Sequence, residues 1–143
     1  MYFEEIKVGD TISIGDIPVI REDMIAFAEK FNPVRIHTDE EYAKTTRAGD
    51  VTSSGLYTFL LFWNKYVTND FGGEQILAGT SMSMEFSAPV FSGDVLHGTA
   101  TVVEKTERND YNGIFRICIE IYNQEDKLVL KNYTDTVVKR KVF

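Results

Sequence analysis

Leu56-Tyr57-Thr58-Phe59-Leu60-Leu61-Phe62-Trp63-Asn64-Lys65-Tyr66-Val67 is the most apolar stretch of the chain. It is too long for a typical strand and apolar almost all round, which predicts a helix enclosed by other elements. Ser53 or Ser54 can cap its start, and Phe71-Gly72-Gly73 can end it. After Gly73 the period changes to two: Met82, Met84 and Phe86 alternate with Ser81, Ser83, Glu85 and Ser87. This predicts a strand with the methionines in the core and Glu85 turned away from the helix. Pro89 and Ser92-Gly93-Asp94 mark a turn. Val95 to Glu107, Ile114 to Tyr122 and Leu128 to Lys139 read as three further strands. The segments between them are short and rich in Asn, Asp and Gly, so neighbouring strands should be antiparallel. The expected fold class is α+β, with a central helix covered by an antiparallel sheet of four or five strands.

Upstream, Glu22 to Phe31 carries Met24, Ile25, Phe27, Ala28 and Phe31 at helical spacing, and Asn32-Pro33 stops that helix. Thr38-Asp39-Glu40-Glu41 reads as a capping box that starts a short helix through about Thr46. His37 thus stands just before a helix start. Ser54-Gly55 opens the long helix, where backbone N–H groups lack internal partners and sit at the positive end of the helix dipole. A proton-transfer side chain and an oxyanion site together suit chemistry beside a carbonyl or thioester.

Composition narrows the classes. With 143 residues, 43% hydrophobic and 26% charged, residues 1–143 read as a single domain. No apolar run approaches the length of a membrane span, and the acidic start Met1-Tyr2-Phe3-Glu4-Glu5 is unlike a signal peptide. One cysteine, Cys118, excludes an internal disulfide framework and fits a reducing cytoplasm; two histidines leave little for a structural zinc site. A net charge of −7 argues against nucleic-acid binding. No Gly-rich phosphate loop is present, and no cofactor or metal is expected.

The segment Asn32-Pro33-Val34-Arg35-Ile36-His37-Thr38-Asp39-Glu40-Glu41-Tyr42-Ala43 resembles the hydratase motif of the MaoC-like dehydratases, hotdog-fold proteins that include the (R)-specific enoyl-CoA hydratases; Pro33, His37, Asp39 and Ala43 fit it. Tyr2 to Asp10 resembles the family's opening strand, Ser54-Gly55-Leu56 the start of its central helix, and Phe86-Ser87-Ala88-Pro89-Val90-Phe91-Ser92-Gly93-Asp94 its later Pro-Val-x-x-Gly-Asp turn. The resemblance implies a sheet wrapped around a long central helix, two such sheets joined edge to edge in a homodimer or higher homo-oligomer, and reversible syn addition of water to a trans-2-enoyl thioester. It makes His37 the acid/base residue and Gly55 the oxyanion donor, with Ser54 beside it. The family's catalytic Asp position, five residues before the histidine, holds Asn32. An amide can orient a water but cannot take its proton. A polar side chain that some hydratases use near the thioester falls on Trp63, eight residues past Gly55.

The leading expectation is an acyl-thioester hydratase/dehydratase with His37 carrying the proton and Asn32 positioning the water. A noncatalytic acyl-CoA-binding protein and an acyl-CoA thioesterase stand beside it, because one fold hosts all three. Coenzyme A is favoured over an acidic carrier protein, which a −7 chain repels at long range. Lys44, Arg47 and Lys65 flank the motif and the long helix and can offer the basic spot that coenzyme A needs. Tyr57, Phe59, Phe62, Trp63 and Tyr66 read as core and acyl-pocket lining. His97 and Cys118 read as structural residues within strands.

Overall fold

A computed structural model describes residues 1–141. Five strands form one antiparallel sheet in the order β1-β3-β4-β5-β2: β1 (Thr11–Pro18), β2 (Ile76–Phe86), β3 (Val95–Glu107), β4 (Asn112–Tyr122) and β5 (Leu128–Lys139). Four helices lie between β1 and β2: α1 (Arg21–Phe31), α2 (Arg35–Thr38), α3 (Glu40–Ala43) and α4 (Gly55–Val67). This is the expected α+β class and the hotdog arrangement, a sheet curled around one long helix.

The core forms where the inward residues of the central strands meet α4. Leu96, Ala100 and Val102 of β3 and Phe115, Ile117, Ile119 and Ile121 of β4 are sealed from solvent together with Phe59 and Phe62. Gly98 permits the closest approach. A Cβ there would lie 2.1 Å from the Glu120 carbonyl oxygen and 3.1 Å from the Phe62 ring, so only glycine fits between α4 and the β3–β4 ladder.

Several local expectations are corrected. Residues 2–10 do not form the opening strand. Phe3–Glu5 is a single 3-10 turn, the chain reverses at Gly9, whose φ is 101°, and the first strand is Thr11–Pro18. The cap of α3 is Asp39, which accepts the Tyr42 N–H at 2.9 Å; Thr38 is already the last residue of α2, and α3 ends at Ala43 rather than Thr46. Neither Ser53 nor Ser54 caps α4 through its side chain: Ser53 Oγ pairs with Thr58 Oγ1 at 3.0 Å, and Ser54 Oγ is engaged by Asn32. The helix stops at Val67, before the two glycines.

The largest difference concerns enclosure. Thr58, Phe59, Phe62 and Tyr66 of α4 are buried, but Leu56, Leu60 and Val67 are each more than two-fifths exposed. β2 lies at the edge of the sheet, so Met82 and Phe86 face solvent at 49% and 58% exposure instead of joining the core. Within one chain, one flank of the helix and one edge of the sheet are bare and apolar.

Candidate active site

Backbone punctuation brings the candidate residues together. Asn32 terminates α1, where its own N–H donates to Ala28 O. Pro33 redirects the chain, and α2 then lifts His37 toward the loop that precedes α4. That loop is pinned on both sides. Thr52 N–H donates to Ile36 O at 3.1 Å, and Ser53 N–H donates to Val90 O at 2.8 Å. Asn32, His37, Ser54 and Gly55 all line one cleft of about 680 Å³ between the α4 start, the β2 end and the Pro89 turn. That volume suits a small-molecule site.

The imidazole is oriented by a backbone carbonyl. His37 Nδ1 lies 2.7 Å from Thr52 O and 3.2 Å from Thr52 Oγ1. A carbonyl can only accept, so Nδ1 carries the hydrogen in the neutral ring, and Nε2 is left with its lone pair. Such a ring is set to accept a proton at Nε2 and return it.

Asn32 Nδ2 donates to Ser54 Oγ at 2.9 Å. The Ser54 hydroxyl is thereby drawn off the helix cap. Among the described residues no acceptor takes the Gly55 N–H, which opens α4 at the positive end of the helix dipole. The Phe86 ring lies against Gly55; a Cβ on that residue would meet the ring at 2.2 Å. Phe86 is largely exposed, so this ring is an outer wall of the cleft rather than part of its floor.

An ion-pair frame supports the pinned loop. Arg21 clamps Asp50 with two hydrogen bonds of 2.9 and 3.1 Å and also reaches Ser92 and Glu40. Asp50 in turn accepts the Val51 N–H at 2.8 Å, directly before Thr52. The Arg21 guanidinium, with help from that N–H, holds the Asp50 carboxyl below its ordinary value. The first turn of α1 is thus tied to the segment that orients His37.

Other predicted residues lie elsewhere. Trp63 does not line this cleft; it stacks between Phe59 and Tyr66 at centroid distances of 5.6 and 5.4 Å, further along α4. Lys44 is exposed and bonded to Glu41 at 2.9 Å, and Arg47 is exposed; neither lines the cleft. His97 stacks on Tyr122 and meets Asp126 at 3.0 Å beside a different cavity. Cys118 is 5% exposed, and burial pushes its thiol pKa up. Sequence reasoning missed Thr52, Phe86 and the Arg21–Asp50 pair. Thr52 acts through a carbonyl that any residue supplies, so the only available signal was its place just before Ser54-Gly55.

Comparison with known proteins gives the same grouping. The family described as MaoC like domain matches residues 5–116. The YdeM protein of Bacillus subtilis (strain 168) is 29% identical over 141 residues, spanning 98% of this chain and 100% of that protein. The monoamine oxidase regulatory protein of Archaeoglobus fulgidus superposes with a TM-score of 0.91 at 26% identity, covering 99% of this chain and 96% of the other. A MaoC-like dehydratase from Rhodospirillum rubrum superposes with a TM-score of 0.88 at 27% identity, covering 100% and 99%.

Proposed function

This chain belongs to the MaoC-like domain family, and on that premise we propose that it adds water reversibly to a trans-2-enoyl thioester of coenzyme A. The observation that carries this reading is the His37 tautomer, fixed at Nδ1 by Thr52 O, in the same cleft as Asn32 and Gly55.

In the hydration direction the thioester carbonyl oxygen accepts the Gly55 N–H. Withdrawal of electrons toward that oxygen makes the β-carbon electrophilic. Water attacks the β-carbon as His37 Nε2 takes one of its protons, and electron density collects on the enolate oxygen at the helix start. The imidazolium then returns the proton to the α-carbon of the same face, and the C–O and C–H bonds formed make the addition syn. Asn32, held by Ser54, orients the water without taking its proton. His37 alone therefore carries the proton. Lys44 and Arg47, exposed outside the cleft, serve the coenzyme's anionic end, and Trp63 meets the acyl chain beyond the cleft.

A second copy completes the particle. Among the described residues the outer edge of β2 has no strand beside it, and Leu56, Leu60, Met82 and Phe31 form an exposed apolar surface beside that edge. Such an edge and patch favour association. Sedimentation at micromolar concentration is expected to give a dimer or larger even-numbered particle; a clean monomer contradicts this.

The chemistry is tested by following the conjugated enoyl-thioester absorbance and free thiol together, across a panel of enoyl- and hydroxyacyl-CoA thioesters. Hydration removes conjugation without releasing thiol. Thiol release assigns the cleft to thioester hydrolysis instead. Binding with neither change assigns it to a noncatalytic acyl-CoA-binding protein.

A further inference from the structure

The His37 cleft does not end at Leu56. That residue also lines an adjoining groove of about 380 Å³ walled entirely by aromatic, aliphatic and methionine side chains. Trp63 and Met82 are in turn shared between this groove and a third pocket of about 300 Å³ near the far end of α4. The three spaces follow the exposed flank of the helix in sequence. From Gly55 to Tyr66 that path is about 16 Å at an ordinary helical rise.

The character of the lining changes at the end of the path. Tyr66, Asp70, Ser81, Thr134 and Thr136 all line the third pocket. Thr134 and Thr136 belong to a row on the inner face of β5, with Asn132, that is 0%, 1% and 6% exposed in the order Asn132, Thr134, Thr136. A strand facing a central helix ordinarily places apolar side chains there. Asn132 is accounted for: its Nδ2 donates to Ser83 O at 3.0 Å, and its Oδ1 accepts the Thr134 hydroxyl at 2.9 Å. Thr136 is not: it is 6% exposed, it lines the pocket, and its hydroxyl makes no side-chain hydrogen bond among the described residues. A nearly buried polar group left without a protein partner calls for an explanation.

We propose that the groove takes a long acyl chain and that the third pocket receives a hydroxyl group at the distal end of that chain. This inference rests on the thioester reading of the His37 cleft. The pocket's lining selects the group. Asp70 stands in the wall and no basic side chain does, which disfavours a carboxylate. Threonine and serine hydroxyls can both donate and accept, which suits a neutral hydroxyl. The second copy proposed above would roof the groove and turn it into a tunnel.

Calorimetric titration of the intact protein with butyryl-CoA, dodecanoyl-CoA and 12-hydroxydodecanoyl-CoA tests this. Both long thioesters are expected to bind more tightly than butyryl-CoA, and the hydroxylated one about 3- to 10-fold more tightly than dodecanoyl-CoA, the value of one added hydrogen bond. Thr136→Val and Ser81→Ala should each shrink that preference while leaving butyryl-CoA affinity unchanged. Ser81→Ala removes only an exposed hydroxyl of the edge strand, so it supplies a folded variant even if Thr136→Val fails to fold. Equal affinities for the two long thioesters, with butyryl-CoA bound, overturn this inference alone; so does a preference that survives both substitutions. No binding of butyryl-CoA overturns the thioester reading and this inference with it.

Discussion

Replacing Asn32 by Asp places a carboxylate where the chain now offers an amide, five residues before His37. The two side chains are nearly equal in volume, so packing at the end of α1 is retained. The contact with Ser54, 2.9 Å at present, reverses its direction: the Ser54 hydroxyl donates to the carboxylate instead of accepting from the amide. The new group is a base beside the water that attacks the β-carbon. A positioned acid/base group contributes about 100- to 10,000-fold. Asn32 already supplies orientation, so the lower end applies: about 100-fold, or about 2.7 kcal/mol of barrier. The substitution also has a stability cost. Asn32 caps the C-terminus of α1, where a negative charge faces the negative end of the helix dipole. That costs about 0.3–1 kcal/mol and lowers the melting temperature by a few degrees. Steady-state hydration of trans-2-butenoyl-CoA, read by loss of conjugation, gives the rate, and a thermal melt gives the cost. A variant that folds and binds the thioester yet is no faster refutes the assignment of Asn32 as a water-positioner in a hydratase geometry.

Gly98→Ala is expected to destabilise the fold by about 1–3 kcal/mol or more, because its methyl group would lie 2.1 Å from the Glu120 carbonyl oxygen, which is backbone and cannot swing aside; denaturant unfolding measures the loss. Acid should unfold the chain through its paired carboxylates. Asp50 and Asp135 are held below the ordinary 3.8 by hydrogen bonds from Arg21 and Arg116 respectively. A depressed folded-state pKa gives stability that is full above the unfolded value and lost as pH falls through the folded one. Unfolding free energy should therefore level off above about pH 5 and fall steadily below about pH 4, with a shallower fall in Asp50→Asn and Asp135→Asn.

Strands β3, β4 and β5 were legible because strict alternation runs between Asn- and Asp-rich turns. β1 was not, although Ile12, Ile14 and Ile17 carry its inward face. The register shifts between Ile14 and Ile17, so the apolar spacing is two and then three, and the period-two signal fails. The alternation of Met82, Met84 and Phe86 correctly marked a strand but could not tell an edge position from a central one. That depends on which strand β5 pairs with on its far side. Similarly, an all-apolar helix reads as enclosed whether its cover comes from its own chain or from another. In the cleft, His37, Asn32, Ser54 and Gly55 line one space. The basic residues Lys44 and Arg47 were chosen by sequence proximity, and α3 with its following turn carries them onto an exposed surface. The carbonyl of Thr52 had no sequence signature at all, yet it is the group that decides which nitrogen of His37 is free.

The central claim is that His37 Nε2 alone moves the proton while the helix start holds the thioester. Hydration of trans-2-butenoyl-CoA by the natural protein and by His37→Ala, with thioester affinity measured alongside, tests it most directly. The account predicts that the substitution lowers the hydration rate by about 100-fold or more while the dissociation constant for butyryl-CoA stays within about 3-fold, less than 1 kcal/mol. A His37→Ala protein that hydrates the enoyl thioester at close to the natural rate contradicts it.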